Sequence, residues 1–307
     1  MQEYFLAMAF KWKRMIDLPD HLRLLDKNEI RRFSSENAAT RLKEFDPFIH
    51  KGNRGHLAIV AGSEGMIGAS ILTASAAARS GTGKITVFVP DLAILPMHLS
   101  LPDVIVKQQN SEIQLDLFSA IAIGPGLGSS VLAIELVEKA LYTKKAIVLD
   151  ADALNILSLK KELLNILPEG AILTPHLLEW QRMFGNTETD KERIITSFNY
   201  CNKLNINILI KGHISTLVTS NHELFFNGTG NAGMAKGGSG DVLTGLIGGL
   251  LAQGYAPEDA GIVGMFIHGL AGDMAAEELG EDAMTASDQI RYLSKAFKAL
   301  RNSRANP

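Results

Sequence analysis

Three glycines within four positions, Gly237, Gly238 and Gly240, stand directly before the single acidic residue Asp241. A glycine-rich backbone can turn its N–H groups toward one point, and a helix N-terminus binds anions through free N–H groups and a partial positive charge. Apolar pairs recur at helical spacing over 242–251. The segment therefore predicts a loop that binds an anion such as phosphate and opens a buried helix.

Asp241 follows this loop and has two interpretations. A carboxylate is poorly suited to bind phosphate, because like charges repel each other. It is well suited to act as the general base for a hydroxyl that attacks a phosphoryl group. In the alternative interpretation Asp241 only caps the helix, and the glycines only allow close packing. The segment by itself leaves both interpretations open.

Further candidate residues follow short apolar runs, which are typical of strands covered on both faces. They are the glycine loops 62–68 and 124–128, the aspartates Asp150 and Asp152, His176, and Lys211 with Gly212. In open parallel sheets, ligands bind outside the carboxyl ends of the strands. The pattern therefore predicts that several strand ends converge on one crevice.

Each of these candidates also has a purely structural interpretation. Asp150 and Asp152 could position Mg²⁺ through water near a nucleotide, or they could cap the helix that begins near Ala153. We expect no metal ion held directly by protein ligands. The loop 62–68 matches neither the dinucleotide-binding pattern nor the Walker A pattern, so it is weak evidence for a site.

The remaining candidates are equally open when taken singly. Glycines around a proline at 124–128 could leave a bare backbone against which a flat ligand lies, or they could form a tight turn. His176 could be a surface or structurally bonded histidine. Lys211 with Gly212 suits a phosphate or an adenosine ribose, but could also be a strand end with a solvated charge.

Apolar runs and helical segments alternate along the chain from His56 onward. Because a βαβ unit pairs its strands in parallel, the pattern predicts one three-layer α/β/α domain with a mostly parallel central sheet. An antiparallel pair is expected at one sheet edge, where 217–219 and 224–226 flank a turn. Helices are predicted near 69–80, 131–141, 191–204 with Asp190 as N-cap, 257–279 and 287–301.

The first fifty residues contain too few apolar side chains for a core of their own. We predict a peripheral arm at 1–50, with a short helix at 26–33, and one catalytic domain at 51–307. The apolar segment 4–10 is too short to span a bilayer.

Composition excludes several classes of protein. A net charge of −3 argues against a nucleic-acid-binding surface. The single cysteine, Cys201, excludes an internal disulfide framework, which fits a reducing compartment. We expect Cys201 to be a small buried residue in a helix. The sequence thus predicts a soluble cytoplasmic protein without nucleic-acid or membrane partners.

In combination, the motifs resemble the ADP-dependent NAD(P)H-hydrate dehydratase family, whose members have the ribokinase-like fold. The resemblance covers roughly residues 50–300 and rests on 56–72, 124–128, 149–155, 174–179, 211–212 and 231–243. This chain departs from the family pattern at three places. It has Ala232 where proline is common, Lys236 where a small or polar residue is common, and Leu177-Leu178 where Pro-Gly is frequent.

The resemblance implies a function and a set of roles. The substrates would be hydrated NADH or NADPH and ADP, or ATP, as phosphoryl donor with Mg²⁺; the products would be NAD(P)H, AMP and phosphate. Asp241 would be the catalytic base. The hydrated dinucleotide would contact Ala69, Gly126, Gly128, His176 and Asp241. The adenine nucleotide would contact Lys211, Gly212, His213, Ile214, Ser215, Gly238, Ser239 and Gly240.

The resemblance also implies partners. The family's partner epimerase, a further domain in some members, is expected to be a separate protein because fifty residues cannot hold it. Glycines in the segment 261–266, together with the habit of the family, predict a homo-oligomer, specifically a tetramer.

Two rival functions follow from the same residues. A small-molecule kinase of this fold would use Asp241 in the same first step, but would accumulate a phosphorylated alcohol and release no phosphate. A catalytically silent nucleotide-binding protein would bind nucleotide tightly without turnover.

Overall fold

The computed structural model describes residues 30–32, 35–44, 47–48 and 50–305. A ten-stranded sheet lies at its centre, in the order β1-β10-β9-β8-β7-β6-β5-β2-β3-β4. The strands are β1 (Ile30–Arg32), β2 (His56–Val60), β3 (Lys84–Val89), β4 (Ile105–Gln108), β5 (Ala120–Ile123), β6 (Ala146–Leu149), β7 (Ile172–Leu173), β8 (Asn207–Ile210), β9 (Thr216–Val218) and β10 (Leu224–Phe226).

Helices cover both faces of this sheet. They are α1 (Ser35–Arg41), α2 (Ile67–Arg79), α3 (Ile94–Ser100), α4 (Val131–Tyr142), α5 (Asp152–Leu159), α6 (Leu177–Phe184), α7 (Asp190–Leu204), α8 (Ser239–Ala252), α9 (Pro257–Leu279) and α10 (Ala286–Ala305). The predicted helices are confirmed to within a few residues at their ends. Asp190 is not the N-cap of α7, because the side chain of Thr189 accepts the capping hydrogen bond.

Alternate residues of each central strand face opposite layers, as the pleat requires. In β2, Leu57 and Ile59 pack with the layer that contains α2, α8 and α9, whereas Ala58 and Val60 pack with the layer of α4 to α7. The predicted three-layer α/β/α architecture is thereby confirmed. Helices α2 and α8 lie so close that a methyl group on Gly245 would be 1.9 Å from the carbonyl oxygen of Thr73.

Strand β9 is the antiparallel member of the sheet among the described residues. It pairs with β10 through Val218 and Leu224 and with β8 on its other side. All other described strand pairs are parallel. The predicted hairpin is confirmed, and it places β10 and β1 beyond the antiparallel strand.

Part of the predicted N-terminal arm adds to this domain. Residues 30–32 form β1 and pair in parallel with β10, so the predicted helix at 26–33 is wrong for these residues. Helix α1 packs on α9 and α10, and the Lys43 N–H donates to the Tyr255 hydroxyl at 2.9 Å. The apolar segment 4–10 and residues 26–29 lie outside the described residues.

The structure bears on the expectations for Cys201 and for the segment 261–266. Cys201 is fully buried in α7, as predicted, and burial raises the pKa of its thiol to about 12. The segment 261–266 is buried inside the protomer by packing against β9 and α8, so it offers no surface to a second copy. Within the described ranges, none of the helices combines the length and the apolar character needed to cross a membrane.

Candidate active site

The glycine-rich loop leads directly into α8. Gly238 is the N-cap at φ +93°, a left-handed conformation that favours glycine, and Asp241 lies in the first helical turn. No side chain caps this end of α8, and the Asp241 carboxylate accepts no hydrogen bond from the described residues. The capping interpretation of Asp241 is therefore wrong. The N–H of Ser239 donates to the Lys236 carbonyl at 3.5 Å, and no side chain caps the N–H groups that follow it, so anion binding at this helix end stays a prediction.

An ion pair lies against this helix end. The Lys211 ammonium donates to Asp150 Oδ1 at 2.6 Å, and the Thr244 hydroxyl donates to Asp150 Oδ2 at 2.7 Å. Asp150 is only 1% exposed. A methyl group on Gly240 would lie 3.3 Å from Lys211 Nζ, so the missing side chain lets the helix end approach the ammonium. The capping interpretation of Asp150 is wrong, because its carboxylate holds Lys211 and Thr244.

A second carboxylate faces the same lysine. Glu179 is 5% exposed, and its Oε2 lies 3.8 Å from Lys211 Nζ. The same oxygen accepts the backbone N–H of His176 at 2.8 Å, while His176 Nδ1 accepts the N–H groups of Leu178 and Glu179. His176 is thus the N-cap of α6 in a reciprocal capping box. Because Nδ1 accepts, its Nε2 carries the proton in the neutral ring.

The chemistry of Asp241 is set by its surroundings. Burial, together with the negative charges of Asp150 and Asp152, raises the pKa of its carboxyl group from 3.8 to about 7 against the opposing charge of Lys211. A carboxylate with a pKa near neutrality is suited to take a proton and to release it again. Burial lowers the pKa of Lys211, but Asp150, Glu179 and Asp241 outweigh that effect and hold it above its usual value.

The predicted dinucleotide contacts form a connected surface beside this helix end. The Gly128 N–H donates to Asp152 Oδ2 at 2.8 Å. A methyl group on Gly126 would lie 2.9 Å from the Ala69 side chain, so the loop 124–128 rests on the start of α2. The structure therefore brings Ala69, Gly126 and Gly128 together. Asp152 binds the loop rather than capping α5, which begins after Ala151 without a side-chain cap.

The predicted nucleotide segment 211–215 forms the connection from β8 to β9. Its first residue is tied to the neighbouring strand end, because the Lys211 N–H donates to the Pro175 carbonyl at 2.8 Å. Gly212 and His213 are exposed, and the Ser215 carbonyl accepts from the Asn227 N–H. The structure thus places this segment at the same sheet edge. Nucleotide contacts of Gly212, His213, Ile214 and Ser215 stay a prediction.

Three functional neighbours were missed in the sequence. Thr244 binds Asp150, Glu179 faces Lys211, and His268 Nε2 donates to the Ser239 carbonyl at 2.8 Å. Burial lowers the pKa of His268 to about 4. Each carries a recognisable signal: Thr244 and His268 are polar residues in apolar helical stretches, and Glu179 stands three residues after a helix start.

The acidic residues of the site suit a nucleotide-bound metal ion better than a protein-held one. Among the described residues, no three His, Cys, Asp or Glu side chains are grouped to hold a metal. Asp150 already accepts an ammonium and a hydroxyl. Mg²⁺ commonly binds through substrate phosphates and water with one or two carboxylates. Asp152 and Asp241 would fit that role, because their charges act on each other across the site.

The fold defines a ribokinase-like protein. A ribokinase-like superfamily protein from Enterococcus faecalis has the same fold, with a TM-score of 0.81 at 25% identity over 90% of this chain and 98% of that one. The family model for NAD(P)H-hydrate dehydratase matches residues 57–295. The chain belongs to the NAD(P)H-hydrate dehydratase family.

Named relatives agree with this assignment. The chain is 36% identical to the ADP-dependent (S)-NAD(P)H-hydrate dehydratase of Neisseria meningitidis, over 82% of this chain and 87% of the relative. The Bacillus subtilis ADP/ATP-dependent NAD(P)H-hydrate dehydratase, co-crystallised with ATP/Mg²⁺, has a TM-score of 0.79 at 28% identity over 88% of this chain and 99% of that one. The chain spans about half the length of the bifunctional NAD(P)H-hydrate repair enzymes that it also matches.

Proposed function

We propose that this protein uses ADP, or ATP, to dehydrate hydrated NADH and NADPH. The hydroxyl on the hydrated nicotinamide ring is a poor leaving group, and phosphorylation converts it into a good one. The observation that carries this proposal is the position of Asp241, a carboxylate with a pKa of about 7 in the first turn of a helix whose N-terminus no side chain caps.

In the first step the Asp241 carboxylate accepts the proton of the ring hydroxyl. The hydroxyl oxygen attacks the terminal phosphorus of ADP, a new P–O bond forms, and the bond to AMP breaks. Backbone N–H groups of Gly238 and Gly240 stabilise the charge on the transferring group. Lys211 has three N–H donors, one of which binds Asp150, so it can also donate to a phosphate oxygen.

In the second step the ring nitrogen lone pair expels phosphate as the C–O bond breaks. Loss of a proton from the adjacent ring carbon restores the dihydropyridine, so the products are NAD(P)H, AMP and phosphate. The backbone of 126–128, held by Asp152, and the imidazole of His176 support the dinucleotide. When bound with the nucleotide, Mg²⁺ supplies charge neutralisation on the phosphates.

Further properties of this protein stay predictions. The reaction would make it a carbon-oxygen lyase. A functional link to an NAD(P)H-hydrate epimerase, a cytoplasmic location and a homotetramer are likewise expected. Because 261–266 is buried, the expectation of a tetramer rests on the resemblance to the family alone. Light scattering tests the tetramer, and a monomer mass at micromolar concentration would remove it.

Product analysis tests the proposed function. Purified protein is incubated with fresh NADH hydrate, Mg²⁺ and either ADP or ATP, and the near-ultraviolet absorbance of the dihydronicotinamide ring is followed. The proposal predicts recovery of that absorbance with equal release of phosphate. Accumulation of a phosphorylated compound without phosphate release would indicate a kinase instead, and tight nucleotide binding without turnover would indicate a silent binding protein.

A further inference from the structure

The side chain of Lys236 is coordinated by three backbone carbonyl groups. Its Nζ donates to the carbonyl oxygens of Glu281 at 3.0 Å, Asp282 at 2.6 Å and Met284 at 2.8 Å. An ammonium group has three N–H donors, so these contacts use all of them. The three carbonyl groups belong to the turn between α9 and α10, which is a separate segment of the chain from the glycine-rich loop.

Lys236 itself lies in the loop that presents the first N–H groups of α8. It stands two residues before Gly238, the N-cap. Within the described structure, the backbone ties of Lys236 are its own N–H to the Met234 carbonyl at 2.8 Å and its carbonyl to the Ser239 N–H at 3.5 Å. The second of these is at the outer limit of hydrogen-bond length. The ammonium is therefore a principal attachment of the loop immediately before the helix.

Open space lies where the residue after Lys236 would carry a side chain. A methyl group on Gly237 would meet nothing within 4 Å among the described residues. Glycine backbone is conformationally permissive, and a phosphate site needs its N–H groups aimed before the ligand arrives. The contacts that stop this loop from relaxing therefore lie on either side of Gly237. They are at Lys236, at Gly238, where the left-handed backbone lies against Leu72, and at Ser239, whose carbonyl accepts from His268.

We propose that Lys236 is a positioning residue for phosphoryl transfer, which holds residues 237–240 in their anion-binding conformation by tethering them to the turn 281–284. This inference rests on the proposed function, because the anion is the transferring phosphate of the nucleotide. A purely structural alternative is that Lys236 only satisfies carbonyl groups at the end of α9, which would stabilise that helix without affecting the nucleotide.

Lys236→Met removes the ammonium and keeps most of the stem. We expect kcat with hydrated NADH to fall about 10- to 100-fold and the affinity for ADP to fall in calorimetry, because aimed N–H groups bind the phosphate and its transition state. The KM for the hydrated dinucleotide should stay within about twofold. Lys139→Met is the matched control. Lys139 lies on α4, and its Nζ donates to a single carbonyl oxygen, that of Ser111, at 2.7 Å. It should leave all of these values unchanged.

Chemical rescue separates positioning from loss of folding. Lys236→Ala lacks the atoms of one propylammonium ion, so added propylammonium should restore turnover at an unchanged melting temperature. Tetramethylammonium carries the same charge without N–H donors and should not. A Lys236→Met enzyme with wild-type kcat and ADP affinity would overturn the proposal, as would a variant whose only change is a lower melting temperature.

Failure of the proposed function gives a different result. If the wild-type protein does not turn over hydrated NADH, the function is wrong, whatever the variants do. The ratio of ADP affinities between wild type and Lys236→Met still tests the tether in that case, and equal affinities would overturn it.

Discussion

The Lys211 ammonium lies 2.6 Å from the buried carboxylate of Asp150, directly against the first turn of α8 at Gly240. This ion pair links the end of β6 to the end of β8, and Thr244 binds its other oxygen from the helix that carries Asp241. Three separate segments thus meet at one carboxylate. Asp150 both holds Lys211 and acts electrostatically on Asp241, the proposed catalytic base.

The pH dependence of the reaction should report the charge of Asp150. The base Asp241 must be ionised to accept a proton, so the rate should fall as the pH falls through its pKa of about 7. Asp150 raises that pKa by its negative charge, more strongly than Asp152 does. Asp150→Asn should therefore move the acid limb of the kcat/KM profile to lower pH, and Asp152→Asn should move it less. Identical profiles for both variants and wild type would contradict this coupling.

Lys211→Met should affect stability as well as nucleotide binding. The substitution leaves the Asp150 carboxylate buried without its cation, which costs about 3 kcal/mol of unfolding free energy. It should also move the acid limb to higher pH, because Lys211 lowers the pKa of Asp241.

A double-variant cycle with Asp150→Asn isolates the pair. The double variant should recover much of the melting temperature that Lys211→Met loses, because no unpaired charge remains at Asp150. If the losses of melting temperature in the two single variants simply add up in the double variant, the two residues are not coupled by the ion pair.

His176 combines two roles that substitutions can separate. Its Nδ1 caps α6, and asparagine also caps well, so His176→Asn should keep the melting temperature while His176→Ala should lower stability by about 1 kcal/mol. If the imidazole also contacts the hydrated dinucleotide, both variants should raise the KM for that substrate. A raised KM in His176→Ala alone would show that loss of the cap of α6, and not loss of an imidazole contact, raises the KM.

Much of the fold could be predicted because the strands are short apolar runs and the helices carry strong periodic patterns. Strand β4 and helix α3 were not predicted, since exposed residues interrupt their apolar pattern. Residues 30–32 were assigned to a helix because their local composition carries no strand signal. Their pairing with β10 is a long-range contact that a local pattern cannot contain.

Most members of the candidate site were predicted, but their connections were not. Strand-end positions brought Asp150, His176, Lys211 and Asp241 to one edge, as expected for a parallel sheet. The partner of each charge could not be predicted, because Lys211 and Asp150 are 61 residues apart and their ion pair depends on strand order. The structural role of Lys236 was equally hidden, since it depends on the turn at 281–284.

Turnover by Asp241→Asn tests the central claim most directly. Hydrated NADH, ADP and Mg²⁺ are supplied to wild type, to Asp241→Asn and to the exposed-site control Asp116→Asn, and NADH recovery and AMP release are measured. The account predicts that kcat of Asp241→Asn falls by roughly 10²–10⁴. ADP binding should persist, and the melting temperature should not fall, because the carboxylate accepts no hydrogen bond from the described residues. An Asp241→Asn enzyme that turns over at the wild-type rate would contradict the assignment of Asp241 as the base.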